Sequence, residues 1–205
     1  MTQPENATFF CGIGGSGMSA LAQILCRRGQ RVIGSDRAFD AGQNLQIRKN
    51  LEAQGITIVR QDGKNLDQVT RLVVSTAVEP SIPDVQAALD QGRPIIRRAE
   101  LLAEIFHQGK GIAVAGTHGK TTTSSITAFT LRDCGADPSF VIGGEIPQLG
   151  GSAAFGQGPD MVVEACEYDR SFLRLRPATA IIINIEEDHF GTVPRDESPN
   201  QLNPG

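Results

Sequence analysis

Short apolar runs alternate with longer amphipathic segments along most of the chain. Several of the runs, such as IAVA, MVVEA and AIIINI, are nearly continuous, which is typical of strands covered on both faces of a sheet. The alternation predicts an α/β protein built on parallel sheets. Eight strands are predicted, at Thr8–Ile13, Arg31–Ser35, Ile56–Val59, Leu72–Ser75, Pro94–Ile96, Gly111–Ala115, Met161–Ala165 and Thr179–Ile185.

The amphipathic segments predict the helices that connect these strands. Most of them are followed directly by a glycine, a common helix-stop signal. Five helices are predicted, at Ser16–Arg28, Gln43–Gln54, Pro83–Gln91, Arg98–His107 and Lys120–Cys134.

A short polar, glycine-bearing stretch, His107–Gly111, separates the predicted elements into two groups. It predicts a Rossmann-like doubly wound parallel sheet over 1–106, followed by a P-loop α/β domain over 107–193. A connection inside one domain is the alternative. The tail 194–205, PRDESPNQLNPG, is polar with three prolines and is predicted to be disordered.

Composition narrows the function classes. The 23 acidic residues outnumber the 19 basic ones, which argues against a nucleic-acid partner or a membrane surface as partner. No apolar run approaches the roughly 18 residues of a membrane span, and the first residues, MTQPENA, do not resemble a signal peptide. Four widely separated cysteines predict reduced thiols in a cytoplasmic protein; they are Cys11, Cys26, Cys134 and Cys166.

A first glycine loop follows the first predicted strand and opens the first predicted helix. Gly12, Gly14 and Gly17 match the pattern G-x-G-x-x-G, in which a tight turn brings backbone N–H groups close to a diphosphate. Asp36, 19 residues after Gly17, stands where an acidic side chain meets a ribose hydroxyl and disfavours NADP. The loop therefore predicts a bound nucleoside diphosphate, and a purely structural turn is the alternative.

A second glycine loop, 115–122 with the sequence AGTHGKTT, lies between a strand and a helix. Its Gly-Lys-Thr core predicts ATP or GTP binding. Lys120 would neutralise the β- and γ-phosphates, and the Thr121 hydroxyl would bind Mg²⁺. Val114 stands where the strict P-loop pattern has a glycine. An ordinary helix N-terminus capped by threonine is the alternative.

The segments GIGGSGMSALA, RRAELLAE, AGTHGKTTT, EACEYDRSF and NIEEDH, in this order between Thr8 and Phe190, resemble the Mur ligases of peptidoglycan synthesis. The resemblance implies that the first domain binds UDP-N-acetylmuramate, that the second binds MgATP, and that L-alanine is the second substrate. The implied substrate-binding residues are Gly12, Gly14, Gly15, Ser16, Gly17, Met18 and Asp36.

The same resemblance implies the reaction and its catalytic residues. ATP would phosphorylate the muramate carboxylate to an acyl phosphate, which the amine of L-alanine would then attack. Lys120, Glu164 and His189 are the implied catalytic residues, and Thr121, Glu164 and His189 the implied magnesium ligands. The implied ATP-binding residues are Gly116, Thr117, His118, Gly119, Lys120, Thr121 and Thr122.

Three alternatives stay open on the sequence: a muropeptide-recycling ligase of the same family, an NAD-dependent oxidoreductase, and a non-catalytic nucleotide-binding module. Alanine, glycine and serine also stay open as acceptors. Asn184 and Asp188 flank the end of the last predicted strand. Their position fits a hydrogen-bonding role and a catalytic role equally well. Because later family segments are absent, the resemblance implies a partial P-loop α/β domain over 107–193. We therefore expect an exposed apolar sheet edge after the last strand and no turnover from these 205 residues alone.

Overall fold

The computed structural model describes residues 7–75, 79, 81–144, 146–166 and 171–186. Within these residues the chain forms two five-stranded sheets. The α/β fold predicted from the sequence is thereby confirmed. The predicted tail 194–205 lies outside the described residues. The described part of the chain includes no helix that is both long and apolar enough to cross a membrane.

The first sheet has the strand order β3-β2-β1-β4-β5, and all its strands are parallel. This order reverses beside β1, and the crevice at such a reversal is where nucleotides bind in open α/β sheets. The strands are β1 (Ala7–Cys11), β2 (Val32–Ser35), β3 (Thr57–Val59), β4 (Val69–Val74) and β5 (Ile95–Arg97). The helices of this unit are α1 (Ser16–Arg27), α2 (Arg37–Asp40), α3 (Leu45–Ala53), α4 (Pro83–Asp90) and α5 (Arg98–Phe106).

The second sheet has the order β10-β6-β9-β7-β8. Only the β7–β8 pair among its described strands is antiparallel. Its strands are β6 (Lys110–Ala115), β7 (Ser139–Val141), β8 (Ala153–Ala154), β9 (Asp160–Glu164) and β10 (Thr179–Ile182), and its helix is α6 (Lys120–Asp133). Two short 3₁₀ turns occur at Pro147–Leu149 and Ser171–Arg174. At the β10 edge, Ile182 is 63% exposed.

One hydrophobic core joins the two sheets. Leu21 of α1 and Phe106 of α5 belong to the same buried cluster as Met161 and Val163 of β9. A separate cluster, which includes Phe9, lies between the first sheet and α4. Helices α1 and α5 therefore contribute to the core of both sheets, so the two phosphate loops are held on one packed framework.

The structure contains three elements that the apolar pattern did not predict. Helix α2 has four residues, β7 three and β8 two. The last strand ends at Ile182 rather than at the predicted Ile185. The residues after it turn toward the second glycine loop, and that prediction of the strand's end was wrong.

Candidate active site

The first glycine loop joins β1 to α1. The Gly14 N–H donates to Oδ2 of Asp36 at 2.8 Å, and a Cβ on Gly14 would lie 2.7 Å from that same oxygen. A side chain at residue 14 would therefore push the Asp36 carboxylate away. Helix α1 begins at Ser16, and the first N–H groups of a helix lack acceptors inside it, which suits them to anion binding.

Asp36 holds this loop and the short helix α2 at the same time. Its Oδ1 accepts from the Ala38 N–H at 2.9 Å and so caps α2, while Oδ2 accepts from Gly14. Each carboxylate oxygen thus has a backbone donor in the described structure. The predicted contact of Asp36 with a ribose stays a prediction.

The second glycine loop joins β6 to α6. Its Lys120 ammonium donates to the carbonyl oxygens of Gly116 at 2.6 Å and Thr117 at 3.1 Å. Gly119 precedes α6 with a φ of 81°, in the left-handed region that favours glycine. The lysine therefore lies over the loop, and the loop leads into the N-terminus of α6, whose dipole favours an anion there.

Thr121 and Glu164 meet at the carboxyl end of the second sheet. The Thr121 hydroxyl lies 3.1 and 3.0 Å from the two carboxylate oxygens of Glu164. The Gly143 N–H donates to Glu164 Oε2 at 2.8 Å. A hydroxyl and a carboxylate are the oxygen ligands that Mg²⁺ prefers, completed in such sites by phosphate and water. The pair therefore fits a magnesium ion.

The first loop and the Glu164 carboxylate border one cavity of about 390 Å³ between the two sheets. Gly15, Ser16, Gly17 and Met18 line it from the side of α1, and Gly143 and Glu164 from the side of the second sheet. Arg98, the first residue of α5, also lines the cavity. Its positive charge favours an anionic ligand there.

The predicted site residues fall into two groups. The two glycine loops, Asp36 and Glu164 all lie at the carboxyl ends of strands within the described chain. His189 lies outside the described residues, so its catalytic and metal-binding roles stay predictions. Within the described residues, no three His, Cys, Asp or Glu side chains cluster as a metal site. Gly143 was not predicted, and the glycine pair that follows β7 after one intervening residue is the signal that could have indicated it.

A buried carboxyl group and a buried thiol lie close to the first loop. Asp84, 1% exposed, accepts from the Ser35 hydroxyl and from the Gly63 N–H. Loss of hydration raises the pKa of the Asp84 carboxyl above its ordinary value. Burial, with a smaller contribution from the Asp84 charge, raises the pKa of the Cys11 thiol to about 12. Cys11, Cys26, Cys134 and Cys166 are all free thiols.

Comparison with known proteins agrees with these features. The profile described as "Mur ligase family, catalytic domain" matches residues 9–110. UDP-N-acetylmuramate–L-alanine ligase of Methylococcus capsulatus is 45% identical over 91% of this chain and 39% of its own length. The protein of the same name from Carboxydothermus hydrogenoformans is 49% identical over 90% of this chain and 39% of its own length.

A solved structure is also similar. The UDP-N-acetylmuramate:L-alanyl-gamma-D-glutamyl-meso-diaminopimelate ligase from Neisseria meningitides superimposes with a TM-score of 0.79 at 33% identity, over 91% of this chain and 63% of that one. The chain spans about two fifths of the length of the curated relatives it matches. The motif order, the two-sheet fold and these relatives lead to one conclusion: the chain belongs to the Mur ligase family.

Proposed function

We propose that this chain carries the UDP-substrate and ATP loops of an ATP-dependent ligase. That ligase joins L-alanine to the carboxylate of UDP-N-acetylmuramate in peptidoglycan synthesis. The observation that carries the proposal is the shared cavity, because the N-terminus of α1 and Glu164 border the same space. An enzyme that phosphorylates a nucleotide-linked substrate needs a diphosphate site and an ATP site that open onto one another.

The first loop binds the UDP diphosphate in this proposal. The N–H groups of the first turn of α1 face the anion, and the small residues of the loop let the backbone approach it. Asp36 fixes the loop through the Gly14 N–H. Arg98 adds a positive charge at the cavity wall. The proposed substrate-binding residues are Gly12, Gly14, Gly15, Ser16, Gly17, Met18 and Asp36.

The second loop binds ATP, through Gly116, Thr117, His118, Gly119, Lys120, Thr121 and Thr122. Lys120 reaches the β- and γ-phosphates once it leaves the loop carbonyls that it now contacts. Thr121 and Glu164 hold Mg²⁺, with His189 as a further ligand outside the described residues. When bound, the ion neutralises charge on the phosphates during transfer.

Two steps complete the reaction. A muramate carboxylate oxygen attacks the γ-phosphorus of ATP, the bond from that phosphorus to the β–γ bridging oxygen breaks, and ADP leaves. The neutral amine of L-alanine then attacks the acyl carbon, phosphate leaves, and the amine nitrogen loses a proton. Lys120 stabilises the negative charge of the first step, in which two anions must meet. Such a reaction takes place in the cytoplasm, where ATP and UDP-linked precursors are made.

A muropeptide-recycling ligase of the same family is the second candidate. The similarity to the Neisseria meningitides ligase, whose name includes a tripeptide acceptor, favours it. The higher identity to two proteins named as L-alanine ligases favours the first candidate. Comparing L-alanine with that tripeptide as acceptor distinguishes the two.

Titration with UDP-N-acetylmuramate and with NADH tests the assignment of the first loop. We expect UDP-N-acetylmuramate to bind, UDP to compete with it, and Gly14→Ala to abolish binding because the new Cβ displaces Asp36. Tight NADH binding would instead indicate an oxidoreductase.

For the reaction itself, ADP release that depends on UDP-N-acetylmuramate, L-alanine and Mg²⁺ is measured together with the mass of the product. Nucleotide binding without product is what we expect from these 205 residues alone, and measurable turnover would contradict that expectation.

A further inference from the structure

The residues that follow β10 pack against residues 116–118 of the second glycine loop. We call this loop the ATP loop and residues 116–118 its front part. The side-chain oxygen of Asn184 accepts from the Thr117 N–H at 2.7 Å and from the His118 N–H at 3.2 Å. The Asn184 amide nitrogen donates to the His118 carbonyl oxygen at 3.3 Å. One side chain thus contacts three backbone groups of the loop.

The Thr117 hydroxyl strengthens this contact. It donates to the Glu186 carbonyl oxygen at 3.3 Å and accepts from the Glu186 N–H at 3.2 Å. At the first residue of the loop, the Ile183 N–H donates to the Ala115 carbonyl oxygen at 3.0 Å and continues the pairing of β10 with β6. The segment 183–186 therefore follows the loop from its first residue onward.

Close approach also explains the glycine at 116. A Cβ on Gly116 would lie 3.0 Å from Asn184 Oδ1 and 3.2 Å from Ile183 Cβ. The residue has a φ of 150°, which side-chain-bearing residues rarely adopt. Gly116 thus lets the loop lie against Asn184, in addition to any approach of a phosphate.

Residues 119–122, the back part of the ATP loop, have a different hydrogen-bonding environment. The first backbone hydrogen bond of α6 runs from the Thr123 N–H to the Gly119 carbonyl oxygen at 2.9 Å. The N–H groups just ahead of Thr123 therefore lack acceptors inside the helix, as at every helix N-terminus. These are the donors that the helix dipole supports in binding an anion.

We propose that Asn184 is a positioning residue that divides the ATP loop into two parts. It holds the front part, residues 116–118, by occupying the N–H groups of Thr117 and His118, and it leaves residues 119–122 to receive the phosphates. Thr117 and His118, named above among the ATP-binding residues, then act by supporting the loop through their backbone and do not donate their N–H groups to the phosphates. The inference rests on the proposed ATP site.

Amide hydrogen exchange in the ligand-free chain tests the holding contact without any nucleotide. We expect the Thr117 and His118 amides to exchange slowly, and at least about tenfold faster in Asn184→Ala. Asn184→Asp keeps an acceptor oxygen and restores slow exchange, whereas Asn184→Leu supplies only volume and does not. Ile185→Ala is the matched control, because the Ile185 side chain is 87% exposed. Unchanged exchange in Asn184→Ala would overturn the proposal.

Titration with MgATP tests the division of the loop into residues 116–118 and 119–122. The binding is monitored through the backbone amide resonances of the loop. We expect the largest shifts at residues 119–122, slow exchange retained at Thr117 and His118, and a Kd for ATP raised about tenfold in Asn184→Ala, the equivalent of 1.4 kcal/mol. The Kd for UDP-N-acetylmuramate stays unchanged, which a general loss of stability would not predict. Tighter ATP binding by Asn184→Ala would overturn the proposal, since Asn184 would then block the loop. If the unchanged chain binds no nucleotide, the proposed function and the phosphate half of this inference both fail, while the exchange rates still test the holding contact.

Discussion

The Thr121 hydroxyl and the Glu164 carboxylate, 43 residues apart in the chain, lie 3.0 to 3.1 Å from each other. Thr121 is in the first turn of α6, and Glu164 is the last residue of β9. The adjacent parallel strands β6 and β9 bring both residues to the same sheet edge. The Gly143 N–H fixes the carboxylate from the other side. The fold therefore brings together an oxygen pair suited to Mg²⁺.

Removing the charge of Glu164 tests this pair. Glu164→Gln keeps an oxygen for the Gly143 N–H and for the Thr121 hydroxyl but loses the negative charge that binds the cation. We expect Mg²⁺-dependent ATP binding to weaken at least about tenfold, since even the loss of an outer-shell partner costs this much, while ATP binding without Mg²⁺ changes little. Calorimetric titration at several Mg²⁺ concentrations measures both. Asp160→Asn, at the opposite end of β9, is the control, and an equal loss in both variants would contradict the assignment.

Asp36 gives a prediction about stability and binding together. Asp36→Ala removes the cap of α2 and the acceptor of the Gly14 N–H. The lost cap alone costs about 1 kcal/mol of unfolding free energy, and UDP-N-acetylmuramate should bind more weakly because the loop loses its support. Urea denaturation and substrate titration measure the two effects. Asp90→Ala, at the exposed end of α4, should change neither; normal substrate affinity in Asp36→Ala would show that the loop does not need the carboxylate.

Much of the fold could be predicted from the sequence because its signals are local. The apolar runs indicate eight of the ten described strands, and the glycines after the helices indicate most helix ends. By contrast, α2 depends on the side chain of Asp36 as its cap, and β7 and β8 form only by pairing with each other and with β9. Interactions of this kind leave no periodic pattern in the chain.

The candidate site was predictable to a similar extent. Strand–loop–helix order indicates where Gly14 and Lys120 lie, because loops after parallel strands share one edge of the sheet. The resemblance to the family added Glu164. The contacts of Gly143 with Glu164 and of Asn184 with Thr117 depend on how separate segments pack, so the sequence left Gly143 unnoticed and the role of Asn184 open.

The cysteines should differ sharply in reactivity. Burial raises the pKa of Cys11 to about 12, so the thiolate that reacts with alkylating reagents is scarce near neutral pH. Cys134 is exposed and serves as the comparison within the same molecule. We expect Cys11 in the native protein to be alkylated at least about tenfold more slowly than Cys134, and both at similar rates in denaturant. Mass spectrometry of the labelled peptides gives the rates, and equal rates in the native protein would contradict the burial of Cys11.

Asp84 predicts a dependence of stability on pH. Its folded-state pKa is raised above the ordinary 3.8, so the folded chain holds this proton more tightly than the unfolded chain does. Its contribution to stability is fully present below pH 3.8 and is lost as pH rises through the raised pKa. Asp84→Asn has no charge and can still accept from Gly63 and contact Ser35. We expect its urea midpoint to fall less than that of the unchanged chain over this range of pH; parallel curves for the two proteins would argue against a raised pKa.

The shared core predicts that the two sheets unfold together. A Cβ on Gly111, in β6, would overlap the ring of Phe106, which is fully buried at the end of α5. Overpacking of this kind costs about 1–3 kcal/mol, and in one cooperative unit this cost appears in both sheets. We therefore expect Gly111→Ala to speed hydrogen exchange equally in β2 and in β9 under conditions of global unfolding, and to expose both sheets to limited proteolysis at the same denaturant concentration. Gly15→Ala, whose Cβ would lie 3.7 Å from its nearest neighbour, is the matched control. If exchange increased in β9 alone, the second sheet would unfold independently, and the first sheet would be stable without it.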